Sequence, residues 1–288
     1  LIMRNCKNCF STNDNFGITF DNSNICSSCS NFFLRNNESS KDIWKNLYQK
    51  LLIFFEKKGT HYDCLVPIRG DAEDFFVIQF LIEHNLNPLI LAVNNYFNND
   101  IYWSNFHNLI TYYDIDSISI NPNIDIYKRM VKESFTKFDD IYLPYKLILW
   151  NSAYELAESK KIPLIILGQC QPIEFSGKFR FYDELKLSNW YLREHEFGNI
   201  SSSAFCKTET LLSEKDILSY VEPNEKLLKK ISAIFLSNYI KWDQLTQNIS
   251  ISNSNVGYRP SHNANTYDVC ENNGSYIYYH LHDLLRYK

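Results

Sequence analysis

The sequence predicts an α/β fold: a parallel sheet with helices on both faces, a small cysteine-bearing knuckle before it and a helical region after it. Three observations lead there. From residue 61 to about 200, short apolar runs alternate with stretches of helical period, the rhythm of successive parallel strand-helix units. Two Cys-x-x-Cys pairs fall within the first 36 residues, a segment too short and polar to bury a core of its own. After Gly198 the strand signal gives way to helical spacing. With 288 residues, 45% of them hydrophobic, the chain can hold one large domain and an appendage. The expected divisions are a knuckle over 1–36, a connecting helix over 37–60, the α/β domain over 61–200 and the helical region over 201–288.

Element by element, residues 1–36 read as turns and short strands, with one apolar alternation at Gly17-Ile18-Thr19-Phe20. From Lys41 to Lys58, apolar residues at 43, 47, 51, 54 and 55 recur at three and four, predicting an amphipathic helix. The apolar runs at 62–68, 88–93, 117–120 and 163–168 are four strands. Helical spacing fills 73–85, 100–113, 125–138 and 146–159. Further on, Ser213 and Asp216 resemble a capping box opening a helix to Tyr220, and 226–240 carries a long apolar face. Residues 250–275, rich in Asn and Ser, read as a loop or lid, and 276–287 as a closing helix. Ligands on such sheets bind beyond the carboxyl ends of the strands, which here are residues 68–74, 93–96 and 168–174.

Charge and hydropathy exclude some classes. The 29 basic and 33 acidic residues give a formal net charge of −4, so there is no bulk attraction to nucleic acid or to anionic membranes. No run approaches the ~20 apolar residues needed to cross a bilayer. The opening residues lack a signal-peptide apolar region, and the cytoplasm is the expected compartment. The 20 Tyr and 20 Phe read as core and compositional drift.

Cys6-x-x-Cys9 and Cys26-x-x-Cys29, 16 residues apart, have the spacing of a closed four-thiolate zinc site, with Zn–S bonds of about 2.3 Å and a structural role. Two disulfides are the alternative and require an oxidising compartment. Cys64 lies in an apolar strand and reads as core; Cys170 sits just past the fourth strand.

The turn Ile68-Arg69-Gly70-Asp71-Ala72-Glu73-Asp74 joins the first strand to the next helix, the kind of junction that offers backbone N–H groups and a positive helix end to phosphate. An acidic helix start that needs no ligand is the alternative. The chain resembles the N-acetyl sugar amidotransferases, PP-loop proteins of the adenine nucleotide α-hydrolase-like (HUP-like) fold, over nearly its whole length. The resemblance runs through Cys6-Lys7-Asn8-Cys9, Gly17-Ile18-Thr19-Phe20-Asp21, Ile25-Cys26-Ser27-Ser28-Cys29, Leu86-Asn87-Pro88-Leu89 and Ile162 to Gly168. It continues through Glu174-Phe175-Ser176-Gly177, Arg193-Glu194-His195-Glu196, Asn238 to Asp243 and His282-Asp283-Leu284-Leu285.

That resemblance implies ATP and magnesium as cofactors, a nucleotide-linked N-acetyl sugar as substrate, and a separate glutaminase subunit supplying ammonia. The product is an acetamidino sugar for surface-glycan or lipopolysaccharide synthesis. It places Ile68, Arg69, Gly70, Asp71, Glu73, Asp74, Val93 and Gly168 at the nucleotide, and Glu174, His195, His282 and Asp283 at the reacting groups. For His195 a pairing with neighbouring acids is the alternative; for His282 and Asp283 it is an interhelix hydrogen bond.

The loop departs from the family's Ser-Gly-Gly-x-Asp-Ser, keeping only Gly70. Arg69 stands at the first serine, Asp71 at the second glycine, Glu73 at the aspartate and Asp74 at the last serine. Three acids near a polyphosphate cost on the order of 1–4 kcal/mol each at about 4 Å unless Arg69 or magnesium offsets them. Tyr142 to Lys146 replaces the family's cysteine and histidine pair, and Gln169 the acid of its Gly-Glu turn. The chain also ends soon after Asp283, which by resemblance is a truncated or minimal form. Two other functions are compatible with such a chain: a non-catalytic homologue that docks a glutaminase or glycan enzyme, and a tRNA-thiolation enzyme, which the charge balance disfavours.

Overall fold

The computed structural model describes residues 4–9, 11–14, 17–174, 176–206 and 212–260. His282, Asp283, Cys270, the closing helix and residues 261–275 of the expected loop lie outside them. The chain forms two compact units. One comprises Leu1–Glu56, Leu167–Lys186 and Ile234–Trp242, and the other Lys57–Ile166, Leu187–Ala233 and Asp243–Lys288.

In chain order the elements are α1 (Ser27–Asn36), α2 (Lys41–Phe55), β1 (Cys64–Ile68), α3 (Ala72–Glu83), β2 (Pro88–Val93), α4 (Asp100–Tyr113), β3 (Ser117–Ile120), α5 (Ile124–Phe138), α6 (Leu143–Lys160), β4 (Leu164–Leu167), α7 (Gln171–Glu174), α8 (Asn189–Tyr191), α9 (Glu225–Lys230), β5 (Ser232–Phe235) and α10 (Gln244–Ser252).

The strands make a five-stranded parallel sheet in the order β3-β2-β1-β4-β5, and the expected α/β class is what the chain adopts. Every residue of β1 and β2 is buried, which is why both read as unbroken apolar runs: a parallel strand is covered on both faces. β3, at the sheet edge, is four residues long and half-exposed, a short edge that limits unwanted pairing. The order reverses between β1 and β4, the topological switch point beside which doubly wound proteins bind ligands. β1 pairs with β2 at five positions and with β4 at Leu65↔Ile165. Pro67, with no N–H to give, cannot extend that ladder.

In the larger unit, α6 buries Leu143, Leu147, Ile148, Trp150, Ala153, Tyr154 and Ala157. Apolar residues all round mark it as a core helix. In the smaller unit, α2 turns Leu47, Leu51 and Phe55 inward. Trp44 stacks on Phe181 with ring centroids 4.7 Å apart.

Three expectations are corrected. The apolar stretch 226–240 is not one helix: α9 ends at Lys230, and the residues after Ile231 form β5, whose Ala233, Ile234 and Phe235 are buried. Ser232 N–H donates to Pro163 O at 3.0 Å, so sheet pairing overrides the helical period. Ser213 and Asp216 do exchange hydrogen bonds, Ser213 N to Asp216 Oδ2 at 2.8 Å and Asp216 N to Ser213 Oγ at 3.3 Å. They close a turn, and only a 3₁₀ turn at Leu218–Tyr220 follows. Finally, the knuckle contains α1, which has no apolar stripe to announce it: Phe32, Phe33 and Leu34 are exposed, while Asn31 and Arg35 are buried. No helix among the described residues is long and apolar enough to cross a membrane.

Candidate functional site

The four cysteines Cys6, Cys9, Cys26 and Cys29 come together, with all sulfurs within 4.8 Å of one another. Four bonds of about 2.3 Å to a tetrahedral ion set neighbouring sulfurs ~3.8 Å apart. Here Cys6 Sγ and Cys29 Sγ are 3.9 Å apart, and Cys9 Sγ and Cys26 Sγ 3.5 Å, so the set fits a metal ion. None of the four is in a disulfide. Backbone N–H groups already point at the sulfurs, Cys26 N at Cys6 Sγ (3.3 Å), Asn8 N at Cys6 Sγ (3.4 Å) and Cys29 N at Cys26 Sγ (3.4 Å), which is how metal-bound thiolates are steadied. Burial opposes ionisation of Cys6, yet the N–H groups of Cys26, Cys9 and Asn8 hold its thiol down at about 6. Burial pushes Cys26 up to about 12. Among the described residues, Ile18, Phe20 and Ile25 pack around the sulfurs.

The turn after β1 adopts the shape of an anion cradle, with the N–H groups of Arg69, Gly70 and Asp71 converging on one point. That point is occupied by the chain itself. Asp74 Oδ2 accepts from Arg69 N at 2.7 Å, Gly70 N at 2.6 Å and Asp71 N at 3.2 Å. Asp71 Oδ1 in return accepts from Asp74 N at 3.2 Å, completing a capping box at the start of α3. Asp74 is buried. Burial pushes its carboxyl well above the usual range, Asp71 pushes the same way, and the N–H of Arg69 pulls it down. Arg69 is exposed at the surface, and the neighbouring acids Asp71 and Glu73 favour its charged form.

Gly70 is in the left-handed region (φ +79°), and a Cβ there would meet the Tyr102 ring at 2.6 Å. Beneath it, Asn105 Nδ2 donates to Gly70 O (3.1 Å) and to Arg259 O (2.9 Å), and its Oδ1 accepts from Arg259 N (2.8 Å). Asn105 is missing from the sequence-based candidates although a signal existed: it is the one amide on the buried stripe Tyr102, Asn105, Phe106 and Leu109 of α4. Val93 ends β2, buried.

Gly168 and Glu174 belong to the other unit. Gly168 O accepts from Ser237 N at 3.1 Å, and Cys170, fully buried, donates its N–H to Ser237 Oγ at 2.8 Å. Glu174, on α7, forms a buried ion pair with Arg35 of α1 through Oε2; both side chains are 7% exposed. Its Oε1 has no hydrogen-bond partner among the described residues. Burial raises the Glu174 carboxyl to about 7 against the pull of Arg35. Arg35, which sequence reasoning also missed, further donates from Nη2 to Trp242 O at 3.2 Å. His195 lies in a π-helical turn, Leu192–Glu196, with its ring 5.4 Å from that of Trp190 and 4.9 Å from that of Tyr191.

The fold and these loops define a doubly wound α/β protein with a four-cysteine cluster able to hold a metal ion and a turn whose backbone donors are filled by Asp74. No family model matches the chain, and no curated protein matches it. Among solved structures it is similar to an NH3-dependent NAD synthetase from Campylobacter jejuni, at 13% identity and a TM-score of 0.35, over 48% of this chain and 62% of that one. It is likewise similar to an NMN synthetase from Francisella tularensis, at 13% identity and a TM-score of 0.35, over 74% of this chain and 84% of that one. The chain spans less than two thirds of the length of the Campylobacter synthetase. At these values neither likeness bears on the chemistry of the loops.

Proposed function

We propose that this chain is a PP-loop-type homologue of the N-acetyl sugar amidotransferases that has kept the architecture but not an open phosphate cradle. In this reading it serves glycan synthesis as a non-catalytic partner, docking the glutaminase or another sugar-modifying enzyme, with zinc on its four cysteines. One observation carries the reading: the carboxylate of Asp74 occupies the N–H groups that a nucleotide phosphate would need. An ATP phosphate would have to displace a buried carboxyl group held by three donors and then sit beside the acids Asp71 and Glu73, which like charge makes costly. Calorimetric titration of magnesium-ATP into the zinc-loaded protein tests it. No heat of binding is expected; micromolar binding to the unaltered chain would sink it.

The second reading is the active one, in which ATP activates the oxygen of a sugar's N-acetyl group and ammonia replaces it, expelling AMP and leaving an acetamidino group. Glu174 favours it. A buried carboxyl titrating near 7, with one oxygen uncommitted, suits a base that takes a proton from the attacking nitrogen. Formation of AMP only when sugar and ammonia are both present would decide for this reading.

A further inference from the structure

Helix α1 presents one polar face, Ser27, Asn31 and Arg35, spaced four residues apart and so stacked along one side. All three bind the segment that follows β4. Ser27 Oγ donates to Ser176 O at 2.8 Å. Asn31 Nδ2 donates to Ile173 O at 3.0 Å, and Asn31 Oδ1 accepts from Phe181 N at 3.1 Å. Arg35 pairs with Glu174. At the helix start the approach is backbone to backbone: a Cβ on Gly177 (φ +58°) would fall 2.4 Å from Ser27 O and 2.6 Å from Ser28 N. Phe32 and Phe33 of the same helix are exposed.

The beginning of this helix is the metal site. Cys26 is its N-cap, accepting from Cys29 N, and Cys29 lies in its first turn. A ten-residue helix with this composition is too short to persist alone, and a knuckle built around four thiols folds with its metal.

We infer that α1 is a metal-dependent clamp, in which zinc on Cys6, Cys9, Cys26 and Cys29 folds the helix and the helix, through Ser27, Asn31 and Arg35, holds residues 173, 174, 176 and 181 in place. Arg35 is thereby the positioning residue for Glu174. The inference rests on the zinc reading above. Loss of the ion frees the polar face, takes the cation away from Glu174 and loosens the segment, while the sheet strands keep their own ladder.

Hydrogen–deuterium exchange on the full chain tests this, with zinc content measured first. One zinc per chain is expected. After removal of zinc by EDTA, amides of 170–181 exchange at least tenfold faster, while those of β1 and β2 hold their rates. Asn31→Ala, with zinc still bound, frees the Phe181 amide selectively. A protein that neither carries nor takes up zinc overturns the metal reading. A protein that loses its zinc yet keeps 170–181 protected overturns the clamp alone, as does one in which β1 and β2 loosen together with 170–181.

Discussion

At the scale of single residues, two carboxylates decide how the loops behave. Asp74 satisfies three backbone donors and closes the capping box whose N-cap is Asp71. Asp74→Ala leaves the N-cap Asp71 in place, since its Oδ1 accepts from the backbone of residue 74, but it orphans donors in a part-buried turn, worth ~1–3 kcal/mol; urea denaturation should register a loss of that size. Asp74→Ser, with a shorter side chain, vacates the cradle while the Asp71 cap remains. It should gain measurable magnesium-pyrophosphate binding that the unaltered chain lacks, and equal heats from the two proteins would argue against a closed cradle. Glu174 poses a different question. Its carboxyl is raised from 4.5 to about 7, chiefly by burial, so the folded chain holds that proton more tightly than the unfolded one. The stability this lends is complete below about 4.5 and is lost as pH rises through about 7. Carboxyl 13C shifts should show Glu174 titrating near 7, and Glu174→Gln should flatten the fall in stability between pH 5.5 and 7.5. A midpoint near 4.5 would mean that Arg35 outweighs burial.

At the scale of elements, legibility followed burial. β1, β2 and β4 were readable because strands covered on both faces are unbroken apolar runs, and the helices over 100–113 and 124–138 because their polar sides leave a periodic stripe. β5 was hidden: its four residues follow directly on the lysine-rich α9, and the helical spacing runs through both. α1 was hidden for the opposite reason, since it buries Asn31 and Arg35 and exposes phenylalanines. Its partners lie about 140–150 residues away in sequence, and no local pattern can show that. The cysteine site was readable because its spacing is local; the filling of the loop by Asp74 was not, because an acidic helix start and a phosphate turn share one sequence. Close packing at α1 gives this scale its prediction. Gly177→Ala meets both a left-handed φ and the Ser27 backbone, whereas Gly198→Ala has φ +57° and nothing within 4 Å. Strain at such a φ costs ~1–3 kcal/mol. The first substitution should therefore cost clearly more than the second in thermal unfolding and should weaken zinc retention; equal costs would place 177 away from the helix start.

At the scale of the whole molecule, charge separates the remaining functions. A tRNA-modifying enzyme with a zinc knuckle must hold a polyanion, and that hold is dominated by phosphate contacts with a steep salt dependence. This chain carries 29 basic against 33 acidic residues. Several of the bases are already committed: Arg35 to Glu174, Lys50 to Glu184, Lys58 to Asp63, Lys146 to Asp140 and Lys230 to Glu158. Arg69, at the mouth of the closed turn, is held by Asp71 and Glu73. The turn after β1 thus carries three acids, Asp71, Glu73 and Asp74, against the one base Arg69, the reverse of an electrostatic funnel. Bulk tRNA at physiological salt should bind no more tightly than the ~10⁻⁴ M at the weak end of non-specific association, and reducing the salt should strengthen it little. Fluorescence anisotropy with labelled tRNA at 50 and 200 mM salt measures both quantities. Micromolar affinity falling a hundredfold or more over that range would require a basic surface large enough to outweigh the charge balance, and would favour an RNA-modifying function over the one proposed above.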